Sequence, residues 1–467
     1  MTEPTAPGSG PLRAEARANL RLAGPIVLTQ IGTMLMGLVD TAIVGRLGER
    51  ELAGVSIGNV LSFAAAVPVI GLLTAIEPLA AQAIGAGDRR TARSALREGV
   101  RLAFVLSVPF ALVTLGSLWL LPLMHVDPAI IPSARVYVVA RLPSLLPLFL
   151  YIAAKTYQQA VLRPRAAVEA VVIANVINAA VGWALTFGDA GLVRAGLPPL
   201  GVPALGVAGV GIATSVATAV EVAWLFGVRR RVPLDARDAA LPGEAELRGV
   251  DRETLAKLVR VGTPLGLQFL AEVGVFTVVT LLMGRIGGRA TAAHQIALGL
   301  ASFSFMGALG VSQATSVRVA HAVGAQTHRG TRRAGVIGIV LGVSMMGASS
   351  LAFALAPTLL ARLFTPQPEV IAAAVPLIRI AALFQLFDGA QVVSAGALRG
   401  TGDTRWPLVA NVLIHWFVGL PLGCVLAFSL HRGATGLWYG LTAGLVFIGT
   451  GLTWRFFRVT RLTVARL

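Results

Sequence analysis

The stretch 26-IVLTQIGTMLMGLVDTAIVG-45 decides the fold. It is twenty residues long and holds one charged side chain, Asp40. At 1.5 Å per residue, a helix of that length crosses the ~30 Å of hydrocarbon in a bilayer. Runs of the same kind recur along the chain, for example at 100–123, 204–228 and 434–454. Lipid offers the backbone no hydrogen-bonding partner, so each run reads as a helix. A transmembrane β-strand would show about ten residues of alternating character, and these runs do not alternate. The 467 residues are 55% hydrophobic and only 13% charged. Soluble domains carry roughly a quarter charged residues, so a soluble fold is excluded.

The formal net charge is +17. Nucleic-acid binding would be one cause of such a charge. The arginines, however, lie in short segments between apolar runs, as the positive-inside rule requires. Arg13, Arg17 and Arg21 precede the first run, and Arg89, Arg90, Arg93, Arg97 and Arg101 follow the second. Further clusters fall at 163–165, 229–260, 318–333, 399–405 and 455–466. The alternate loops hold few basic residues: Arg46, Arg50, Arg135, Arg194, Arg285, Arg289, Arg362 and Arg432. This asymmetry predicts an even number of spans with both termini cytoplasmic, an inner-membrane location and no nucleic-acid partner. The opening MTEPTAPGSG has no signal-peptide core. Cys424 is the only cysteine, so no disulfide can form within the chain.

The chain repeats itself. Segment 24–90 aligns without gaps on 263–329 at an offset of 239 (284 − 45), pairing Pro25 with Pro264, Gly45-Arg46 with Gly284-Arg285, and Gly85-Ala86 with Gly324-Ala325. A second block, at an offset of 236 (411 − 175), pairs Leu162-Arg163 with Leu398-Arg399 and Ala174-Asn175-Val176 with Ala410-Asn411-Val412. Each half therefore spans about six helices. An even number makes them parallel repeats about an axis along the membrane normal. The expected organisation is an all-α polytopic membrane protein of twelve helices in two pseudo-symmetric six-helix bundles around a central cavity. Its parts are a cytoplasmic tail at 1–20, an amino-terminal lobe at 21–228, a polar linker at 229–256, a carboxy-terminal lobe at 257–456 and a second tail at 457–467. Two matching bundles suit a transporter that exposes one cavity to each side in turn.

Three acids stand inside apolar runs, where a charge costs ~2.5–3.5 kcal/mol on insertion scales. Asp40 lies in the opening stretch, Glu272 in 261-VGTPLGLQFLAEVGVFTVVTLLMG-284, and Asp388 in 380-IAALFQLFDGAQVVSAGALRG-400. None has an Arg or Lys within one helical turn. Their repeat mates are Val279, Thr33 and Ile152, so the acids do not belong to the duplicated scaffold. A carboxylate held away from water can be claimed by a coupling ion or by a cationic substrate, and that competition suffices for antiport. The alternative is an acid satisfied by buried hydroxyls.

Other polar residues give weaker signals. Asn175 and Asn178 share a face of the fifth helix and are candidates to line a cavity beside Asp40, or to bond helix to helix. Gln268 lies one turn before Glu272 as a supporting group. His294 and Gln295 follow the outer loop and read as cap or core residues, with Gln295 also a candidate to support the cavity. Glu77 reads as a gate or a cap, while Lys155 and Glu221 read as snorkelling groups near span ends. There is no Walker A sequence, and no His pair sits at metal-ligand spacing on one helix, so no enzyme activity and no cofactor beyond a coupling ion is expected.

With these residues in view, the chain resembles the multidrug and toxic compound extrusion family, nearer its NorM-like branch. The resemblance covers about residues 20–455 and rests on 36-MGLVDTAIVGRLG-48, 80-AAQAIGAGD-88, 262-GTPLGLQFLAEVGVF-276, 291-TAAHQIAL-298 and 388-DGAQVVSAGALRGTGDT-404. It implies H⁺- or Na⁺-driven export of amphipathic, usually cationic compounds by a monomer in the bilayer. It also implies that Asp40, Glu272 and Asp388 bind cation or substrate, that any Na⁺ would sit at Glu272 and Asp388, and that Asn175 and Asn178 match polar cavity positions; Gln268 and Gln295 stand beside them as supporting polar candidates and Phe384 as an apolar one. Some Na⁺-coupled relatives have Tyr where this chain has Phe384, which favours H⁺. Two other readings differ in kind. A flippase for lipid-linked precursors would want cationic cavity residues, and a scaffold would tolerate neutral replacements of the three acids.

Overall fold

The structure, a computed structural model, describes residues 12–123, 126–231, 249–462 and 464–467. Residues 1–11 of the expected tail and 232–248 of the expected linker lie outside the described residues. Among the described residues, twelve helices are long and apolar enough to cross a membrane. They are α1 (Leu12–Val44), α2 (Glu49–Gly85), α3 (Arg89–Ser117), α4 (Ile131–Ala160), α5 (Arg165–Arg194), α6 (Val207–Gly227), α7 (Arg252–Ile286), α8 (Gly288–Gly324), α9 (His328–Leu355), α10 (Pro368–Thr401), α11 (Arg405–Ser429) and α12 (Gly433–Val459). Their surfaces expose large apolar side chains such as Val105, Leu112 and Phe417, as lipid-facing helices do. The protein is a multi-pass membrane protein with the all-helical architecture expected from the sequence.

The helices gather into two compact units. The first comprises Met1–Gln30, Glu77–Ala92 and Arg260–Leu467, and the second Ile31–Ile76 and Arg93–Val259. These units are not cut where the sequence repeats join. The first takes the leading half of α1 and the end of α2 in addition to the carboxy-terminal helices.

In the first unit α10 is central, packed by α8, α9 and α12. Its core is built around Trp438, Met283, Phe353 and Leu441. The leading half of α1 runs antiparallel to the second half of α8. Glu15 accepts from Arg318 Nε at 2.9 Å and Nη2 at 2.6 Å, Asn19 Nδ2 donates to Thr315 Oγ1 at 3.4 Å, and Gly310 lies against the Val27 backbone. Arg318 and Arg399, expected among loop arginines, are in fact buried in α8 and α10. Arg318 is paired with Glu15, and the Glu77 charge acts on Arg399, which lowers the cost of burying each guanidinium.

The ends of α2 and α8 cross within this unit. A Cβ on Gly85 would strike the His321 carbonyl, and one on Gly324 would strike the Gln82 carbonyl. Both pairs are repeat mates, since 324 − 85 and 321 − 82 each equal 239. The crossing is thus self-complementary about the repeat axis, and only glycine lets the two backbones meet there. The turns entering α2 and α8 repeat as well, with Gly48 and Gly287 at φ +151° and +140°.

In the second unit α4 packs on α2 and α6, and α5 packs along α6. One core cluster joins Ile43, Val44, Tyr137 and Val210, and another joins Leu118, Leu121, Ala134 and Val138. Asp251 caps the start of α7, accepting from the Thr254 N–H at 3.1 Å, Thr254 Oγ1 at 2.7 Å and Ser94 Oγ at 2.6 Å. Burial alone would raise this carboxyl. The hydrogen bonds from Ser94 and Thr254, with the Arg97 charge, outweigh burial and hold it at about 2.

Candidate functional site

Asp40 sits in the second unit, late in α1, with 6% of its surface exposed. The hydroxyl of Thr214 on α6 donates to its Oδ2 at 2.9 Å. Two further groups act on this carboxyl: the Arg141 charge from α4 and the Asn178 amide from α5, the latter without reaching hydrogen-bond geometry. Arg141 itself donates to Tyr137 Oη at 2.7 Å and to Asn59 Oδ1. The carboxyl therefore has a cation nearby that its own helix could not supply. The fifth-helix pair divides its work. Asn178 faces Asp40, whereas Asn175 Nδ2 donates to the Gly32 carbonyl at 3.0 Å and to its own helix at Val171, fastening α5 to α1.

The same unit buries a second charged cluster. Lys155 and Glu221 do not snorkel to a span end: they are 6% and 5% exposed, and the Lys155 charge acts on Glu221. Lys155 Nζ lies 5.5 Å from the centre of the Tyr151 ring, and the Tyr151 hydroxyl is buried with no hydrogen-bond partner among the described residues. A lysine charge acting on a buried glutamate lowers the cost of burying both.

Glu272 and Asp388 lie in the first unit, and here the structure joins what the sequence could only nominate separately. Glu272 on α7 is half-buried, and the Gln391 amide of α10 acts on it without reaching hydrogen-bond geometry. Asp388, one turn before Gln391, is 5% exposed and close enough to feel the Glu272 charge. No basic side chain among the described residues acts on either acid. Around them lie buried amides with unpaired atoms: Gln268 Oε1, Gln385 Oε1 and Nε2, and Gln391 Oε1. Leaving a buried polar atom without a partner costs ~1–3 kcal/mol. Oxygens of that kind beside two carboxylates make a donor set for a proton, a hard cation or an ammonium group. Among the described residues no group of three His, Cys, Asp or Glu side chains could hold a metal ion.

Phe384, one turn before Asp388, is buried and turns its ring edge-to-face onto Trp438 at 5.5 Å and Phe276 at 6.4 Å. Trp438 Nε1 donates to His294 Nδ1 at 3.2 Å, and His294 Nε2 meets Thr280 Oγ1 at 3.0 Å. His294 is thus a core group of this unit. Its neighbour Gln295 is exposed, and no hydrogen bond joins it to Glu272 or Asp388. Asn411 and His415 of α11 are also buried with unpaired polar atoms, on a stretch that widens to π-helical winding over Val412–Gly419. Sequence reasoning missed Thr214, Arg141, Gln385 and Gln391. The two glutamines had a signal: 385, 388 and 391 are spaced by three on one helix face.

The MatE family model matches residues 25–184 and 264–425, two segments whose starts lie 239 residues apart (264 − 25). A protein named probable multidrug resistance protein NorM from Deinococcus radiodurans is 39% identical over 464 residues, covering 96% of each chain. The protein of the same name from Mesorhizobium japonicum is 36% identical over 458 residues, covering 96% of this chain and 95% of its own. Among solved structures, the eukaryotic MATE transporter AtDTX14 matches with a TM-score of 0.83 at 21% identity, covering 96% of this chain and 99% of its own. A multidrug resistance MATE transporter in an outward-facing conformation matches at 0.82 and 19% identity, covering 96% of both chains.

Proposed function

The chain belongs to the MatE family of multidrug efflux transporters, and from that premise we propose that it is a cation-coupled antiporter of the inner membrane, exporting amphipathic cations as a monomer with both termini cytoplasmic. It is a transporter of small molecules and no enzyme. One observation carries the mechanistic part of the reading: Glu272 and Asp388 act on each other away from bulk water with no basic side chain acting on either. Two adjoining carboxylates in that position repel, and a cation held by them relieves the repulsion. A proton, a Na⁺ ion and a cationic drug compete for the same oxygens, so arrival of one favours departure of another. Alternating exposure of the carboxylates to the two sides of the membrane converts that competition into antiport. The proton is the favoured ion, because Phe384 is committed to an apolar core and offers no oxygen. Asp40 plays a different part. With Thr214, Asn178 and Arg141 around it, it can gain or lose its cation neighbour as the helices shift.

The test is transport of a cationic dye in vesicles holding the purified protein, with H⁺ and Na⁺ gradients imposed separately. Wild type is expected to export under the H⁺ gradient alone. Asp388→Asn and Glu272→Gln are expected to reach the membrane at normal levels and lose efflux. Wild-type efflux by both variants would refute the carboxylate mechanism, and efflux driven by Na⁺ alone would refute the choice of ion.

A further inference from the structure

Exposed arginines on the first unit do not all resemble one another. At the start of α9, Arg329 and Arg332 are exposed, and at the end of α12 so are Arg458 and Arg461. The two helix ends are tied together, for His328 Nε2 meets the Thr460 carbonyl at 2.8 Å. Aromatic rings brace the guanidiniums: Arg332 stands 5.7 Å from the Phe457 ring centre, and Arg458 stands 5.2 Å from that of Trp454. A guanidinium stacked on a ring keeps its N–H edge free to grip an oxyanion in a fixed geometry. Several basic groups elsewhere in the chain are instead paired with acids. Arg318 is bound to Glu15, Arg101 to Glu98, Lys257 to Glu253 and Arg455 to Asp403. Arg332, Arg458 and Arg461 form no ion pair among the described residues.

The faces below these arginines are apolar. On α9, Arg329, Arg332, Val336 and Val340 follow each other at intervals of three and four, and Val340 is 58% exposed. On α12, Phe447, Trp454, Arg458 and Arg461 share one face, with Phe447 57% and Trp454 54% exposed. Tryptophan at that level marks the boundary between acyl chains and headgroups. A surface with positive charge at one end, an amphipathic ring next to it and exposed apolar side chains beyond has the layout of one lipid molecule.

We propose that the surface formed by the start of α9 and the end of α12 is a binding site for an anionic membrane phospholipid, its phosphate held by Arg332, Arg458 and Arg461 and its acyl chain laid along Val340 and Phe447. This inference stands apart from the transport reading. A basic group near a membrane surface contributes roughly fivefold to anionic-lipid affinity. The experiment is native mass spectrometry of the delipidated full chain, titrated with phosphatidylglycerol and with phosphatidylcholine of the same acyl chains. The first phosphatidylglycerol is expected to bind roughly 125-fold tighter than phosphatidylcholine, three steps of fivefold. Arg332→Gln/Arg458→Gln is expected to weaken it roughly 25-fold, two steps of fivefold, and to leave phosphatidylcholine unchanged. Arg289→Gln, at the start of α8, is expected to change neither. Equal binding of the two lipids by wild type, or undiminished phosphatidylglycerol binding by the double variant, would overturn the proposal. Displacement of the lipid by millimolar inorganic phosphate would reassign the site to a free anion and also overturn it. Should the double variant fail to fold, wild type suffices: phosphatidylglycerol with a photoreactive headgroup is expected to label 328–333 and 454–462, and labelling centred elsewhere counts against the site.

Discussion

The buried pair Glu15–Arg318 gives the sharpest energetic expectation. Two hydrogen bonds of 2.9 and 2.6 Å join side chains that are 5% and 7% exposed. Removing one partner strands the other charge, which costs ~3–5 kcal/mol at such sites. Removing both charges while keeping their volume costs little, because the desolvation burden leaves with them. We therefore expect Glu15→Gln, which retains one acceptor oxygen, to lose ~3 kcal/mol, and Arg318→Met to lose up to ~5 kcal/mol. The double variant is expected within ~1 kcal/mol of wild type, a coupling of several kcal/mol in the double-mutant cycle. The assay is unfolding of the full chain by sodium dodecyl sulfate in mixed micelles, followed by tryptophan fluorescence. Additive losses would refute the reasoning, since they would mean that each side chain contributes alone. The same variants report on α1, whose leading half is held to α8 by this pair, by Asn19 and by the Gly310 contact.

Three further outcomes are expected. Gly324→Ala places a methyl on the Gln82 carbonyl and should cost ~1–3 kcal/mol in the same assay, whereas Gly227→Ala, with nothing within 4 Å of the added carbon, should not destabilise the chain. Lys155→Met should destabilise strongly, because Glu221 loses the charge that balances it, and Lys155→Met/Glu221→Gln should recover most of the loss; a double variant worse than the single would contradict the pairing. Asp251 sits at about 2 when folded, below its ordinary value of 3.8, so its ionised form stabilises the start of α7. That stabilisation is complete above pH ~4 and is lost as the pH falls toward ~2. Hydrogen exchange at 252–258 should accordingly separate wild type from Asp251→Asn at neutral pH and bring them together at the acid end; a constant difference would count against the cap.

The sequence determined by itself what depends on one span at a time. Apolar length gave twelve crossings, the offset of 239 gave the duplication, and Asp40, Glu272 and Asp388 could be singled out because a charge inside an apolar run is costly wherever it occurs. Tertiary structure decided what depends on two spans meeting. Arg141 reaches Asp40 from α4, 101 residues on (141 − 40), and Gln391 reaches Glu272 from α10, so neither could be seen by asking what lies within one helical turn. Lys155 and Glu221 read as snorkelling groups for the same reason: the charge that acts on Glu221 comes from Lys155, 66 residues away (221 − 155). Asn175 and Asn178 share a helix face yet do different jobs, because one meets a backbone carbonyl of α1 and the other a carboxyl. Hydropathy and spacing are properties of a single helix against lipid, whereas charge compensation belongs to whichever neighbour the packing supplies.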